Sequence, residues 1–138
     1  MKYRYLSKAK TCNEKWVSGF LHCKENKWYI SNKAGSPFAF EVRPDTICQC
    51  TGLKDKNDKL IWENDIVKDL FSDACAQIKY GSYQSCFDST KTEHVGFYVD
   101  WSGKCTKRYR KDLGYWINMV NAEVVGNIFD NPELIKER

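Results

Sequence analysis

Short runs of apolar and aromatic residues recur along the chain, and turn-forming residues separate them. Residues 95–101 show the clearest alternation of side chains within one run. Successive side chains of a β-strand point to opposite faces, so alternation of this kind is typical of strands. The pattern therefore predicts a mainly β fold. The predicted strands cover residues 2–6, 16–23, 27–31, 38–42, 47–52, 60–62, 65–68, 76–80, 95–101 and 123–129.

Turn and helix signals lie between and after these runs. The sequence predicts strand breaks at residues 25–26 and 81–82, and a polar turn at residues 54–59 that joins two hairpin arms. An Asn-Pro-Glu sequence at residues 131–133 combines an N-cap residue, a proline at the first helical position and an early acidic residue. We therefore expect a short C-terminal helix after the last strand.

The composition is that of an ordinary folded domain. At 138 residues the chain is expected to form a single domain, residues 1–138. Aromatic residues make up 14% of the chain, which favours strands over long helices. The formal net charge of +4 is below that of a dedicated nucleic-acid-binding protein. No stretch approaches the roughly 20 apolar residues of a membrane helix, and no secretory signal is recognisable. We therefore expect a cytoplasmic protein without membrane association.

Seven cysteines are scattered along the chain without a Cys-x-x-Cys pair. Structural zinc sites usually have closely paired ligands, so no metal site is expected. Cys48 and Cys50 would point to the same face of a strand. We interpret the cysteines as free thiols that pack as small hydrophobic side chains in a reducing cytosol, with metal or redox chemistry as the alternative. The cysteines are Cys12, Cys23, Cys48, Cys50, Cys75, Cys86 and Cys105.

The basic segment 104–111 is the most functional-looking stretch of the sequence. Five cations lie within its eight residues, close to a tryptophan and a tyrosine. Cations at this density can hold phosphates, and the aromatic rings can stack on bases. The alternatives are a solvated hairpin tip, neutralised by Asp88, Glu93 and Asp100, and contact with an acidic protein surface. The candidate contact residues are Trp101, Lys104, Lys107, Arg108, Tyr109, Arg110 and Lys111.

Three motifs carry a family resemblance. Residues 51–67 consist of a Thr-Gly-Leu-x-Asp-x-Asn-Asp-Lys loop, a leucine, and the sequence Ile-Trp-Glu-Asn-Asp-Ile-Val. Residues 124–134 read Val-Val-Gly-Asn-Ile-Phe-Asp-Asn-Pro-Glu-Leu. A weaker motif, Trp16-Val17-x-Gly19-x-Leu21, lies near the start. Together these motifs resemble the YopX family of phage and prophage proteins at the beginning, middle and end of the chain.

Two positions depart from the family pattern. The family's Asn-Gly is Asn57-Asp58 here, and the glycine of its Glu-Gly-Asp is Asn64. Asn and Asp are the residues other than glycine that best tolerate a positive φ. We therefore expect both turns to be kept.

The resemblance implies a mainly β fold built on an SH3-like small barrel with additional strands. It does not imply an activity, because a fold is not a function and small barrels mostly bind. We expect a phage or prophage protein without enzymatic activity that engages a protein in the cytoplasm of its bacterial host. Inhibition of a bacterial defence system such as a CRISPR effector is one concrete form. Nucleic-acid binding through residues 104–111 is the alternative, capture of a nucleotide signal is a third hypothesis, and homo-oligomerisation is left open.

Two residue pairs are weighed as catalytic groups. Glu63 and Asp65 would face the same side of an extended backbone as acid and base, but their place in the family's turn motif favours capping of backbone amides. A cysteine paired with His22 or His94 is the other arrangement, although His22 and Cys23 would point to opposite faces of a strand. No P-loop, dinucleotide fingerprint or His-Glu-x-x-His motif is present. We therefore expect no catalytic residues and no cofactor.

Overall fold

The computed structural model describes residues 6–31, 39–68, 75–84, 93–100, 110–112 and 122–135. Strands account for most of these residues, as the alternating pattern predicts. The helical elements of the described chain are two single 3-10 turns, Pro44–Thr46 and Pro132–Leu134. The strands are β1 (Ser7–Lys10), β2 (Trp16–Lys24), β3 (Lys27–Ser31), β4 (Ala39–Val42), β5 (Cys48–Lys54), β6 (Leu60–Trp62), β7 (Asp65–Lys68), β8 (Cys75–Gln84), β9 (Glu93–Asp100), β10 (Arg110–Asp112) and β11 (Glu123–Asn127).

The strands form two antiparallel sheets. The first has the order β4-β3-β2-β1-β5-β6, and the second has the order β10-β9-β8-β7-β11. The prediction of a mainly β fold is confirmed, but the described strands do not close into a barrel. The chain divides into two compact units, unit 1 (Met1–Gly52) and unit 2 (Leu53–Arg138). Each unit buries an apolar cluster of its own, so there is no single barrel interior in the described chain.

Unit 1 packs its apolar side chains on the inner face of its strands. Ala9, Ile30 and Val42 are buried there, and partly buried apolar side chains surround them. Full burial of an Ile or Val side chain contributes roughly 1.5–3 kcal/mol to folding. An isolated bridge between Thr11 and Val42 joins the end of β1 to the end of β4. The alternate residues of the same strands point away from this cluster and form what we call the outer face.

The connection between β2 and β3 is a two-residue turn made by Glu25 and Asn26. Their φ angles are +53° and +65°. Positive φ at both positions is the geometry of the hairpin turn whose twist matches that of the flanking strands. The predicted break at residues 25–26 is therefore confirmed.

Unit 2 buries a larger apolar cluster. Strand β11 pairs with β7, and a register shift between Val124 and Gly126 makes a β-bulge. The partly buried Leu53, Phe97 and Val124 pack against the cluster. The buried residues of the cluster are Ile61, Val67, Ala76, Ile78, Val99 and Ala122.

The predicted turn at residues 81–82 is wrong, because β8 continues through it to Gln84. Gly81 pairs with Gly96 across the hairpin. A Cβ at Gly81 would lie 3.5 Å from Cε1 of the Tyr98 ring. This is an ordinary van der Waals distance, so the ring does not require a glycine, whereas the φ of +157° is a conformation that glycine adopts readily within the continuing strand.

The prediction for the C-terminal end is wrong, and the predicted first strand is tested only at its last residue. Residues 2–5 lie outside the described residues, and the first described strand begins at Ser7. The predicted C-terminal helix is the single 3-10 turn Pro132–Leu134 within the described chain. Asn131 makes no side-chain cap on that turn, because its Oδ1 accepts a hydrogen bond from the Asn127 N–H instead, at 3.3 Å.

Candidate functional site

The loop of the first family motif is organised by the carboxylate of Asp55. One oxygen accepts hydrogen bonds from the N–H groups of Asn57 and Lys59 at 2.9 and 3.0 Å. The other accepts from the Val124 N–H at 2.8 Å, which ties this loop to the start of the last strand. Asp55 is 7% exposed. Its contacts therefore make it a structural clamp between the two long motifs.

The second turn of the motif follows β6. Asn64 has φ +70°, and its N–H donates to the Ile78 carbonyl at 2.8 Å. Asp65 is 2% exposed and accepts the Trp62 N–H at 2.8 Å. The predicted amide cap is confirmed for Asp65. The extended backbone on which Glu63 and Asp65 would face each other is a turn in the structure.

The two residues that replace glycines of the family pattern both have φ angles in the left-handed region. Asp58 has φ +66°, and Asn64 has φ +70°. The expectation that the two turns are kept is therefore confirmed. Gly52 at the start of the motif has φ +82°, a conformation that glycine adopts without steric cost.

The closing motif is packed around Gly126. A Cβ at this position would lie only 2.7 Å from Cγ of Asn131. The Asn127 side-chain oxygen accepts hydrogen bonds from the N–H groups of Phe129 and Asp130, both at 2.9 Å. The hydrogen bonds and packing of this motif therefore stabilise a turn, as those of the Asp55 loop do.

The cysteines divide into buried and exposed groups. Cys48 and Cys50 are buried on β5, and the Cys48 thiol donates to the Thr46 carbonyl at 3.3 Å. Their interpretation as small hydrophobic side chains is confirmed. Cys12 and Cys23 are free thiols as predicted, but both are exposed, so the prediction that they pack as hydrophobic side chains is wrong for them. Cys75 is free and half-buried, and Cys86 and Cys105 lie outside the described residues. Among the described residues, no three His, Cys, Asp or Glu side chains lie close enough together to hold a metal ion.

The predicted basic contact segment falls almost wholly outside the described residues. The backbones of Arg110 and Lys111 lie in β10, opposite Asp100 and Val99. Asp100 is 4% exposed and accepts a hydrogen bond from Lys79 Nζ at 2.7 Å. Asp100, one of the carboxylates expected to neutralise the basic segment, therefore pairs with Lys79 of β8. The residues outside the description are Trp101, Lys104, Lys107, Arg108 and Tyr109.

The outer face of unit 1 brings aromatic rings and lysines together. His22 on β2 stacks on Tyr29 of β3, with ring centroids 5.6 Å apart and planes 18° apart. Phe20 is 39% exposed on the same face of β2. Sequence reasoning missed this surface, although Trp16, Phe20 and His22 at even positions of one predicted strand carried the signal. The outer face comprises Lys8, Lys10, Trp16, Ser18, Phe20, His22, Lys24, Lys27, Tyr29, Ser31, Ala39 and Glu41.

Unit 2 presents a two-stranded ribbon. In the described register, β7 pairs with β8 only as far as Gln77, and β10 pairs with β9 only at residues 98–100. Beyond these points residues 79–84 of β8 pair with residues 93–98 of β9. Tyr80 and Phe97 lie opposite each other with an edge-to-face contact at 5.1 Å. We call the side formed by Tyr80, Ser82, Val95 and Phe97 the ribbon face.

Comparison with known families places the two long motifs in a full-length match. The YopX protein family matches residues 1–136 of the 138. No curated protein matches the chain. In the described part of the structure, no helix has the length and apolar character that a membrane crossing requires. With turns, clamp and bulge falling where the two motifs lie, and with the family match running through both, the chain belongs to the YopX protein family.

Proposed function

We propose that this protein is a phage or prophage protein without enzymatic activity that binds a protein in the cytoplasm of its bacterial host. The observation that carries the proposal is the ribbon face, where Val95 is 69% exposed and Tyr80 is 53% exposed. Adjacent large apolar side chains at this exposure are a feature of interaction surfaces. The proposed phage or prophage origin rests on what the resemblance to the YopX family implies, and that resemblance supports no particular partner.

The ribbon face offers apolar area for docking. Covering one Val side chain contributes roughly 1.5–3 kcal/mol. The proposed occupant is therefore a segment of a host protein that presents apolar side chains to Tyr80, Val95 and Phe97.

The SH3-like character implied by the family resemblance is proposed for unit 1. Four consecutive antiparallel strands lie side by side there, and the bridge between Thr11 and Val42 brings the first strand to the fourth. This arrangement supports a partly rolled sheet with its apolar cluster inside.

Affinity purification from the bacterial host followed by mass spectrometry tests the proposal. We expect wild-type protein to retain one host protein in stoichiometric amount. The variants Tyr80→Ser and Val95→Lys should lose it. Lys56→Ala, which changes an exposed side chain of unit 2 outside the ribbon, is the matched control and should retain it. Retention by both ribbon variants, or recovery of nothing beyond nucleic acid, would contradict the proposal.

Inhibition of a defence system is the specific form of this function that we propose to test next. Host cells carrying a CRISPR effector or another defence system should be plated with a sensitive phage. Expression of the wild-type protein should restore plaque formation, and expression of Val95→Lys should not. Equal plaque numbers with and without the protein would exclude inhibition of the system tested.

A further inference from the structure

On β2 the outer face of unit 1 alternates with Val17, Gly19 and Leu21, which are buried or partly buried. The strand presents Trp16, Ser18, Phe20, His22 and Lys24 on this face, which are every second residue of β2. A strand rises about 3.4 Å per residue, so the Cα atoms of Phe20 and His22 are about 7 Å apart. Stacked bases lie about 3.4 Å apart, so a Cα spacing of about 7 Å matches a step of two bases along a single strand. The spacing along β2 therefore suits stacking on single bases.

Neighbouring strands continue this chemistry. Tyr29 stacks on His22 with a nearly parallel plane, and we call this two-ring stack, which a base can extend, the His22–Tyr29 platform. On β1, Lys8 Nζ lies 4.8 Å from the centre of the Trp16 ring. A shallow depression of about 320 Å³ adjoins the platform, a volume within the range of small-ligand sites. Its lining residues are His22, Lys24, Tyr29 and Ala39.

The charge of this face favours a polyanion. Lys24 and Lys27 face each other directly across the β2–β3 hairpin, an arrangement of like charges that destabilises a strand pair. Both are exposed, and neither forms an ion pair with a described residue. Glu41, opposite Tyr29, is a carboxylate on the same face. Unit 1 as a whole contains nine Lys and Arg residues against four Asp and Glu, a net charge of +5.

We propose that the outer face of unit 1 binds single-stranded nucleic acid. Bases stack on Phe20 and on the His22–Tyr29 platform, and Lys24 and Lys27 contact phosphates. A single strand is the ligand because its bases are free to stack on side chains, whereas those of a duplex are already stacked within it. The proposal goes beyond the proposed function, since it assigns a second ligand to a different surface. DNA and RNA share the recognised groups, and the experiment separates them.

Fluorescence anisotropy with the full-length protein tests this inference. The probes are fluorescein-labelled oligo(dT), oligo(U) and a DNA duplex, each of about 20 nucleotides, a length that exceeds one binding site. We expect both single strands to bind and the duplex to bind at least about tenfold more weakly. Each phosphate contact contributes a slope of about −0.7 to the dependence of log affinity on log salt, so two to four contacts give about −1.4 to −2.8. A difference between oligo(dT) and oligo(U) would identify the preferred sugar.

Two kinds of variant separate stacking from charge. Phe20→Ala should weaken binding about tenfold with an unchanged salt slope, as expected for one stacked base. The double variant Lys24→Ala/Lys27→Ala should reduce the salt slope by about 1.4. Arg43→Gln is the control for charge, because it removes one cation from unit 1, where the double variant removes two. Arg43 already pairs with Glu14 and Asp45, so the affinity of the Arg43→Gln variant for the single strands should stay within about twofold of wild type.

Several results would overturn the inference. One is the absence of binding to either single strand at about 50 mM salt, where electrostatic contacts are strongest. A second is equal affinity for the duplex and the single strands. A third is displacement of the labelled single strand by polyglutamate as readily as by unlabelled single strand, because this would indicate recognition of charge alone. A fourth is wild-type affinity in Phe20→Ala together with loss of binding in a quadruple alanine variant of the basic segment 104–111. This result would place the nucleic-acid site on that segment. The substituted residues of that variant are Lys107, Arg108, Arg110 and Lys111.

Discussion

The outer face of unit 1 and the ribbon face of unit 2 both expose aromatic rings on antiparallel strands, but they surround the rings differently. Phe20 and the His22–Tyr29 platform lie among lysines, whereas Tyr80 lies beside Val95 and Phe97. Unit 1 has a net charge of +5, and unit 2, with thirteen basic and fourteen acidic residues, has a net charge of −1. The mild +4 of the whole chain therefore conceals one basic unit and one nearly neutral unit. We therefore propose that similar strands serve two kinds of recognition.

The largest expected effect concerns the Asp55 clamp. Its three hydrogen-bond partners among the described residues, Asn57, Lys59 and Val124, all belong to unit 2. Asp55→Ala removes three hydrogen bonds from a nearly buried carboxylate. Hydrogen bonds to charged groups contribute about 1.5–3 kcal/mol each and are not additive, so we expect a loss of at least about 3 kcal/mol in the free energy of unfolding. Urea unfolding followed by tryptophan fluorescence measures it. Asp58→Asn, in the same turn, is the control and should change stability by less than about 0.5 kcal/mol.

A smaller loss is expected at the closing motif of unit 2. In Gly126→Ala the new methyl group displaces the Asn131 side chain and breaks its hydrogen bond to the Asn127 N–H. We expect a cost of about 2 kcal/mol, from overpacking and the lost bond. Adding Asn131→Ala should recover part of the overpacking cost, so the two substitutions should be non-additive in urea unfolding. Additive costs would show that Asn131 is not the obstacle.

The two faces should be separable by mutation. Phe20→Ala should weaken binding of single-stranded nucleic acid about tenfold, or about 1.4 kcal/mol, and leave capture of the host protein intact. Val95→Lys should have the opposite pattern in the same two assays. Both substitutions change exposed side chains, so thermal unfolding should confirm that stability differs from wild type by less than about 0.5 kcal/mol. Loss of both activities in either variant would refute the division between the faces.

The smallest expected effect concerns the turn residue Asp58. Its φ of +66° is costly for a residue with a Cβ, and its carboxylate forms only a solvent-exposed ion pair with Lys54 at 3.5 Å. Asp58→Gly relieves the backbone at little electrostatic cost and should raise the free energy of unfolding by about 0.5 kcal/mol. Urea unfolding measures the gain. Asp58→Val, which cannot adopt this φ easily, should destabilise the protein in the same assay.

Much of the fold follows from local pattern. The alternating runs identify β2, β3, β6 and β7 within a residue of their bounds, because each alternates or ends at a clear turn signal. The outcome at residues 81–82 was different, because a glycine in sequence marks either a turn or a position inside a strand, and only the pairing of β8 with β9 decides between them. The candidate site was less predictable still. A cluster of cations is visible in sequence at residues 104–111, whereas the outer face gathers residues from four strands.

The sequence by itself determined the mainly β class, the family, and the two turns at Asp58 and Asn64, because backbone sterics limit which residues accept a positive φ. Only the tertiary structure decided which carboxylate is a clamp and which rings are exposed. Asp55 bonds to a backbone amide 69 residues away, and His22 stacks on a ring of the neighbouring strand. Such contacts depend on strand register between distant segments, and register is set by the packing of whole sheet faces, not by any one residue.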